Sequence, residues 1–433
     1  MISNIKIIKL TLTIPLLFFG LVSFGQNIRV ETSIHSNIQE QTNKIFDSLV
    51  TIRRDFHMNP EISGKEKRTS EKIAEYLLSL GLEVKIGVGG YGVIGILDTG
   101  KKGKRIAWRA DIDAMPSEIP DVVDFVSKNE GVRHICGHDV NTAIALGIAN
   151  VMASQKEKLT GTVYFIFQPS EESYTGAKAM IDDGLFEIIN PDEIYGSHII
   201  PSQKGLVSTK ANWLFADQKV VKVSYTSSYK DEEVIDFTKK IISNLQNIEP
   251  NSKFWDMQNM SDPEVGLDQK NTIFKDYITI HENFKVEKQN EKIAISTYIY
   301  PSNQEKAKSI IPSLKKVIAA SPYAKELLNI EFSYERANVQ NDELLTANAI
   351  KSISAIYGEE NVVTLYGEVP FGRGDDFAYF QEKVPGVYFL LGGSNLEKRV
   401  ISMPHAPNFQ VDESCIKTGV NYFSSMIVES LFN

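Results

Sequence analysis

Cysteine is scarce in this sequence, which has two cysteines among 433 residues. Two cysteines cannot build a disulfide framework. Cys136 and Cys415 could pair with each other, but they would not do so if Cys136 binds a metal ion.

Positive charge is also in short supply. The chain has 46 lysines and arginines against 55 aspartates and glutamates, which gives a formal net charge of -9. This balance argues against nucleic acid or an anionic membrane surface as the main partner, because both attract basic proteins. No arginine occurs from 134 to 335.

Long apolar runs are absent from the interior of the chain, so no internal segment is predicted to cross a membrane. At the N-terminus, Lys6 and Lys9 precede the apolar run Leu10–Phe24, and small residues lie near its end. This layout is typical of a secretory signal peptide, which we assign to residues 1–25. An uncleaved anchor is the alternative, but the run is short for a membrane span. We therefore expect a periplasmic or secreted protein that is free of the membrane after cleavage.

The rest of the chain has an ordinary globular composition, with 42% hydrophobic and 23% charged residues. In 28–211 and 340–433, short apolar runs alternate with helical periodicity, which predicts one α/β domain with a mostly parallel sheet. Between these segments, 212–339 is rich in Lys, Asn, Ser and Asp and contains alternating strands. We predict that it is a smaller α+β domain inserted into the first.

The periodicity also places the individual elements. Predicted helices cover 38–57, 69–80, 142–152, 177–186 and 304–319, with one more ending at Gly358 and one starting near Asp412. Predicted strands cover 93–97, 105–109, 162–167, 193–196, 294–300 and 387–391. Asp111, Glu171, Glu172 and His198 are predicted to follow strands directly. Since ligands bind at the carboxyl ends of strands in open α/β sheets, we expect these residues to share one rim.

The stretch His134–Asp139 carries the strongest chemical signal. It contains Cys136 and His138, which are good ligands for first-row metals, and a carboxylate that could orient an imidazole. Gly137 allows a turn tight enough for both ligands to face one ion. A buried thiol beside incidental histidines is the alternative, but the chain has only two cysteines and seven histidines. The clustering therefore favours a metal site.

Further candidate ligands are Glu172, His198 and His405. With Cys136 and His138 they make five, which is too many for one tetrahedral zinc and fits two ions that share a bridge. The adjacent Glu171 could remain free as a general base, although an acidic pair can also be a solvated turn. Asp111 and Asp113 could hold a ligand imidazole or cap a helix. His57 and His134 are expected to support the site or the structure and not to bind metal. His281 is expected at the surface.

In combination these stretches resemble the amidohydrolase branch of the aminoacylase and carboxypeptidase family of co-catalytic metallopeptidases. That branch includes hippurate hydrolases, auxin-conjugate hydrolases and N-acetyl-diaminopimelate deacetylases. The matching segments run in the family's order through both parts of the larger domain. They are Arg53–His57 with Pro60 and Glu61, Arg109–Pro116, His134–Asp139, Phe167–Glu172, Gly176 and Ala177 with Met180, Gly196–His198, Asp375–Phe377, Pro385 with Gly386, and His405.

The resemblance implies a metallopeptidase-type catalytic domain and a ferredoxin-like lid through which two chains pair as a homodimer. It also implies roles for the candidate residues. Cys136 would bridge two divalent ions, and the remaining ligands would be His138, Glu172, His198 and His405. Glu171 would take a proton from metal-activated water and pass it to the leaving amine. Asp111 would be the carboxylate that supports the ligands from behind.

The chain departs from the family pattern in its catalytic segments and in its lid. Asn141 stands where the family usually has a further histidine, and Asp375 stands where it usually has glutamate. Family lids carry a Gly-rich loop with a histidine that steadies the oxyanion in the partner's site. The corresponding stretch here, 223–230, has neither feature.

Several lid residues could replace that histidine as hydrogen-bond donors, namely Tyr225, Tyr229, Lys230 and His281. Family lids also end a strand with an arginine suited to a substrate carboxylate. Because 134–335 contains no arginine, we expect carboxylate recognition to be weak or to use lysine.

The leading hypothesis is a metal-dependent amidohydrolase or peptidase that cleaves the amide bond of an N-acyl amino acid or small peptide. The alternative is a catalytically weakened pseudo-enzyme or ligand-binding protein with a divergent lid. A purely structural zinc protein fits poorly, because such sites need no free carboxylate. Zinc and manganese are the first candidates for the metal, and the mixed ligands also allow cobalt or nickel.

Overall fold

The structure is a computed structural model that describes residues 19–228 and 230–432, with side chains described from Ile34 onward. Most of the predicted signal peptide, residues 1–18, lies outside the described residues. Among the described residues, no helix combines the length and apolar character needed to cross a membrane.

The described helices and strands follow one another as two blocks separated by the inserted segment. The helices are α1 Phe19–Met58, α2 Lys67–Ser79, α3 His138–Ser154, α4 Gly176–Asp182, α5 Leu185–Ile188, α6 Asp231–Ser243, α7 Gln304–Ala319, α8 Glu343–Tyr357, α9 Ala378–Gln381 and α10 Ser414–Phe432. The strands are β1 Glu83–Val88, β2 Gly92–Asp98, β3 Arg105–Asp111, β4 Met115–Pro116, β5 Val132–Arg133, β6 Thr162–Gln168, β7 Glu193–Gln203, β8 Val207–Thr209, β9 Asn212–Trp213, β10 Lys219–Thr226, β11 Ile278–Ile280, β12 Lys285–Gln289, β13 Lys292–Pro301, β14 Leu327–Glu335, β15 Gln340–Asn341, β16 Val362–Thr364 and β17 Gly386–Ser394.

The larger domain is built on an eight-stranded sheet in the order β1-β2-β6-β3-β7-β17-β8-β16. Its central strands β6, β3, β7 and β17 are parallel neighbours, whereas β1 and β2 add an antiparallel edge. One face packs against α1, α3 and α10, and the other packs against α4 and α9. The predicted α/β class with a mostly parallel sheet is confirmed. Because the central strands are parallel, their carboxyl ends meet at one edge.

The inserted segment forms its own sheet, in the order β11-β13-β10-β14 with β12 paired to β13. All its described pairings are antiparallel. Helices α6 and α7 cover one face, where Val223, Ile295, Ile310 and Leu314 form a separate core. The strands of this lid all fall inside the predicted range 212–339.

One part of that range does not belong to the lid core. Phe254, Leu267, Phe274 and Tyr277 are buried together with Val369 and Leu390, which belong to the larger domain. Aromatic contacts hold the segment together, with the ring of Phe254 4.8 Å from that of Tyr277. A stretch of the insertion thus forms part of the wall of the larger domain.

Two predicted elements have different bounds in the structure. The single helix expected over 177–186 is broken into α4 and α5, because Gly184 adopts a left-handed φ of 85°. The strand expected to end at Gly196 continues to Gln203, because β17 pairs with it from Gly386 to Ser394. His198 therefore lies within a strand instead of following one, which corrects the expected placement.

Packing of α10 on the central sheet generates the first prediction. Phe423 is fully buried, and its ring lies 4.6 Å from Trp108 of β3 and 5.3 Å from Phe389 of β17. Phe423→Ala should lower the free energy of unfolding by about 3–5 kcal/mol, because it removes a large apolar group and leaves a cavity. Leu344→Ala is the matched control, since Leu344 is 70% exposed. Urea unfolding measures both changes, and equal effects would show that α10 does not stabilise the sheet.

Candidate metal centre and cleft

Cys136 lies at the centre of a group of metal-ligating side chains. Its Sγ is 3.3 Å from His198 Nε2 and 3.2 Å from His405 Nε2. The residue after it, Gly137, has φ 95° and precedes the first turn of α3. A Cβ at Gly137 would lie 3.1 Å from the ring of Phe409, so both backbone conformation and space favour glycine here.

Backbone carbonyls fix the orientation of two imidazoles. His138 Nδ1 donates to the carbonyl of Asp113 at 2.8 Å, and His198 Nδ1 donates to the carbonyl of Ile199 at 2.7 Å. A carbonyl can only accept, so each Nδ1 carries the proton and each Nε2 presents a lone pair. The Nε2 atoms face the same space beside Cys136. This is the tautomer that a metal ligand requires.

His405 reaches the group from a loop near the end of the chain. It has a left-handed φ of 63°, and its backbone N–H donates to the carbonyl of Ile135 at 2.8 Å. This contact brings Nε2 to within 3.4 Å of Glu172 Oε1. This hydrogen bond attaches the His405 loop directly to the segment that carries Cys136.

Among the described residues, possible ligand atoms form four groups of three within 4.8 Å of one another, and Cys136 belongs to two of them. These two sets are Cys136 with His138 and His198, and Cys136 with Glu172 and His405. The other two groups contain Glu171, one with His138 and Glu172 and one with Asp375 and Asp376. His138 Nε2 and Glu172 Oε1 are buried without a hydrogen-bond partner. Burial also raises the pKa of the Cys136 thiol, so a thiolate here needs a nearby cation. These residues fit a metal centre.

The two adjacent glutamates differ in environment. Burial, reinforced by the nearby Asp375 and Asp376, raises the pKa of Glu171 well above its usual value. For Glu172, burial acts in the same direction, but the nearby imidazoles of His405 and His138 outweigh it and hold the pKa at about 2. Two neighbouring carboxylates are thereby given different tendencies to hold a proton.

Asp113, and not Asp111, makes the hydrogen bonds that position the ligands. Asp113 Oδ1 lies 3.1 Å from His138 Nδ1, and Oδ2 accepts from the backbone N–H of Glu172 at 3.0 Å and from the Ser63 hydroxyl at 2.6 Å. Asp111 instead accepts from Arg109 at 2.7 Å and from the Asn141 amide at 2.8 Å. Its nearer oxygen lies 3.9 Å from His138 Nε2.

Residues behind the metal-binding stretch support α3. Asp139 forms an ion pair with Arg53 at 2.7 Å and accepts from His57 Nδ1 at 2.9 Å, and all three side chains are buried. His134 is buried without a hydrogen-bond partner at either ring nitrogen, and burial lowers its pKa to about 4. Neither histidine is among the grouped ligand atoms in the described part of the chain.

A cleft of about 430 Å³ opens over this centre. Its walls come from both segments of the larger domain and from the two ends of the inserted range. The lining residues include Cys136, Glu171, Glu172, His198 and His405, together with Tyr174, Phe215, Arg336, Phe371, Arg373, Asp375 and Tyr388. Asp111 and His138 lie beneath this surface, and both are fully buried.

The model of peptidase family M20/M25/M40 matches residues 107–429. The chain belongs to this family. It is 31% identical over 398 residues to thermostable carboxypeptidase 2 of Saccharolobus solfataricus, covering 88% of this chain and 95% of that one. It is 29% identical over 393 residues to N-acetylcysteine deacetylase of Bacillus subtilis, with 88% and 96% covered.

Among solved structures, a Bacillus subtilis protein described as a dinuclear metal-binding peptidase of family M20 superposes with a TM-score of 0.71. It is 25% identical and the match covers 90% of this chain and 99% of that one. The family expected from the sequence is confirmed. This M20 chain is a metal-dependent amidohydrolase or peptidase, and its family membership supports this function over the pseudo-enzyme alternative.

The described lid residues suggested as hydrogen-bond donors do not line the cleft of their own chain. Tyr225 is buried in the lid core, where its hydroxyl accepts a hydrogen bond from the Thr238 hydroxyl at 3.0 Å. His281 packs against Tyr298 on the lid sheet. Neither these two residues nor Lys230 is among the described residues that line the cleft, and Tyr229 lies outside the described residues.

Arginine does reach the cleft, from positions just outside the range that lacks it. Arg336 follows the last lid strand, and Arg373 lies in the loop before α9; both line the cleft. The expectation that carboxylate recognition would be weak or use lysine depended on the absence of arginine from 134 to 335. The fold brings in arginines from beyond that range, and no local motif marked either of them.

The contacts of Asp113 generate the second prediction. Asp113→Ala should weaken metal binding about 10–100-fold, because it removes the groups that orient His138 and the Glu172 backbone. Asp182→Asn is a suitable control, since that carboxylate lies on the surface and pairs with Lys178. Competition with a chelator measures the affinity. If Asp113→Ala bound metal as tightly as the control variant, the assigned orientation would be wrong.

Proposed function

We propose that this M20 enzyme hydrolyses the amide bond of N-acyl amino acids or small peptides at a centre of two divalent ions. The observation that carries the proposal is the pair of ligand sets that share Cys136. One ion would be held by His138 and His198, the other by Glu172 and His405, with the thiolate common to both. The description of the Bacillus subtilis relative as dinuclear supports this number. Zinc or manganese is proposed as the metal.

Bound divalent ions would supply Lewis-acid activation of the attacking water and of the scissile carbonyl. The remaining chemistry belongs to the side chains. Glu171 lies beside the ligands, with Oε2 3.8 Å from His138 Nε2. In its ionised form, this carboxylate accepts the proton of the attacking water and then delivers it to the departing nitrogen. The raised pKa of Glu171 favours the first step, because it makes the carboxylate a stronger base toward the attacking water.

The cleft walls orient the substrate and exclude bulk water. The Arg336 guanidinium stacks on the ring of Tyr174 at 4.4 Å, and Phe371 and Phe215 add apolar surface. Tyr388 and Glu171 line the same cleft. An amide substrate would therefore approach along the side on which Glu171 lies.

The division of labour between the glutamates generates the third prediction. Wild-type protein should hold about two divalent ions per chain. Glu171→Gln should retain them and lose about 10²–10⁴-fold in turnover, because an amide cannot take a proton from water. Glu172→Gln should lose metal as well as activity. Metal analysis and hydrolysis of N-acyl amino acids distinguish the two variants, and exchanged phenotypes would reverse the assignment.

We also propose that two chains pair through the lid. Support comes from the sheet face not covered by α6 and α7, where Tyr298 and Tyr334 are 40% and 42% exposed and their rings lie 6.4 Å apart. Light scattering should give the mass of two chains for the wild type. Tyr298→Lys should shift the mass toward one chain, whereas the exposed, distant Leu344→Lys should not. A wild-type mass of one chain would contradict the pairing.

A further inference from the structure

Arg373 lies on the wall between the metal cleft and a second cavity. This neighbouring cavity has a volume of about 270 Å³. The two spaces share four lining residues, Ile200, Phe215, Arg373 and Leu390. Arg373 is thus the charged residue that lines both spaces.

The Arg373 guanidinium has no hydrogen-bond acceptor or carboxylate partner among the described residues, although it is half-buried. The other arginines of the region are paired: Arg109 contacts three aspartates, and Arg336 donates to backbone carbonyls. Burial lowers the pKa of Arg373, while the nearby Cys136 opposes the change. A partly desolvated, unpaired guanidinium is costly, and an anion supplied by a ligand would compensate for that cost.

The backbone around Arg373 is held in place by the lid. Arg336 donates to the carbonyls of Gly372 and Arg373 at 2.6 and 2.8 Å. Gly372 has φ 66°, and a Cβ there would lie 2.7 Å from the ring of the lid residue Tyr300. Phe371 also has a left-handed φ, of 68°. Such conformations in non-glycine residues are uncommon and cluster at functional sites.

The second cavity is mainly apolar. Its walls come from the larger domain and from the part of the insertion that packs on it, which contributes Met260 and Leu267. The other apolar lining residues are Pro201, Leu206, Val363, Leu365 and Val369, and the polar ones are Ser202, Ser208, Ser261 and Asp268. A space of this character suits an uncharged, bulky apolar group.

We propose that Arg373 binds the α-carboxylate of the substrate and that the second cavity takes the side chain of the same amino acid. The proposal rests on the function proposed above. An α-amino acid carries its carboxylate and side chain on one carbon, which matches a guanidinium at the junction of the two cavities. Preferred substrates are therefore N-acyl derivatives of amino acids with large apolar side chains and a free carboxylate. Arg373 is a specificity-determining residue.

The first test compares N-acetyl-leucine with its carboxamide in the wild type, Arg373→Gln and Arg373→Lys. The wild type should prefer the acid. Arg373→Gln should lower kcat/KM for the acid by about 10–100-fold, mainly through KM, because hydrogen bonds to a charged group are lost, and Arg373→Lys should recover part of the loss. The control is Arg399→Gln, an exposed arginine outside the lining of either cavity. An acid preference that survives in Arg373→Gln would overturn the proposal.

A binding experiment separates this proposal from the proposed reaction. Calorimetry on metal-loaded Glu171→Gln protein, with and without Arg373→Gln, should show that N-acetyl-leucine binds more weakly when Arg373 is replaced. Absence of hydrolysis by the wild type, together with this binding difference, would contradict the proposed function alone. Equal binding by the two proteins would contradict the Arg373 assignment. An Arg373-dependent preference for N-succinyl over N-butanoyl substrates would also contradict it, by moving the anion to the acyl side.

The cavity is tested separately by narrowing it. Leu267→Phe should reduce kcat/KM for N-acetyl-leucine and N-acetyl-phenylalanine while leaving N-acetyl-alanine nearly unchanged, because only a large side chain needs the space. Leu344→Phe on the exposed side of α8 is the control. Thermal unfolding checks that both variants are folded. Equal losses on the large and small substrates would contradict assignment of the cavity to the side chain.

Discussion

The buried contacts of Arg109 join the segments on which the active site depends. Its fully buried guanidinium contacts Asp111 at 2.7 Å, Asp375 and Asp376 at 3.1 Å, and the side chain of Gln168 at 2.8 Å. These residues come from β3, the end of β6 and the loop before α9. Removal of one member of a buried charge group commonly costs about 3–5 kcal/mol. The relative positions of Glu171, the metal ligands and the Arg373 loop thus depend on one side chain.

This group of charges also shapes the electrostatics of the site. One guanidinium faces three aspartates, and Glu171 lies within 4.8 Å of Asp375 and Asp376. Burial, opposed by Arg109 and reinforced by Asp375, raises the pKa of Asp376 to about 7. The excess of carboxylates over cationic side chains gives the region a negative potential that attracts divalent ions. It also explains how a carboxylate next to a ligand can retain affinity for a proton.

The sequence predicted much of the fold, and it predicted the residues that the structure groups around Cys136. Cys136, His138, Glu172 and His405 stood out because their residue types are rare or paired in this chain and their motifs are local. The distinction between Asp111 and Asp113 was not accessible, because the two are nearly adjacent and only side-chain direction separates them. The end of β7 was misplaced because pairing with β17, distant in sequence, extends it. Arg373 was missed because its environment exists only once the lid contacts the larger domain.

The interrupted order of the catalytic sheet has a consequence for biosynthesis. Strand β7 pairs with β17 from Ile194 and Gly386 onward, so the centre of the sheet joins segments on either side of the whole inserted domain. During synthesis the N-terminal part of the chain is made first, so β7 lacks its neighbour β17 until the whole lid has been synthesised. His405 comes later still. The lid can form its own antiparallel strand pairs before the sheet of the larger domain is complete. The metal-binding group is completed only near the end of synthesis.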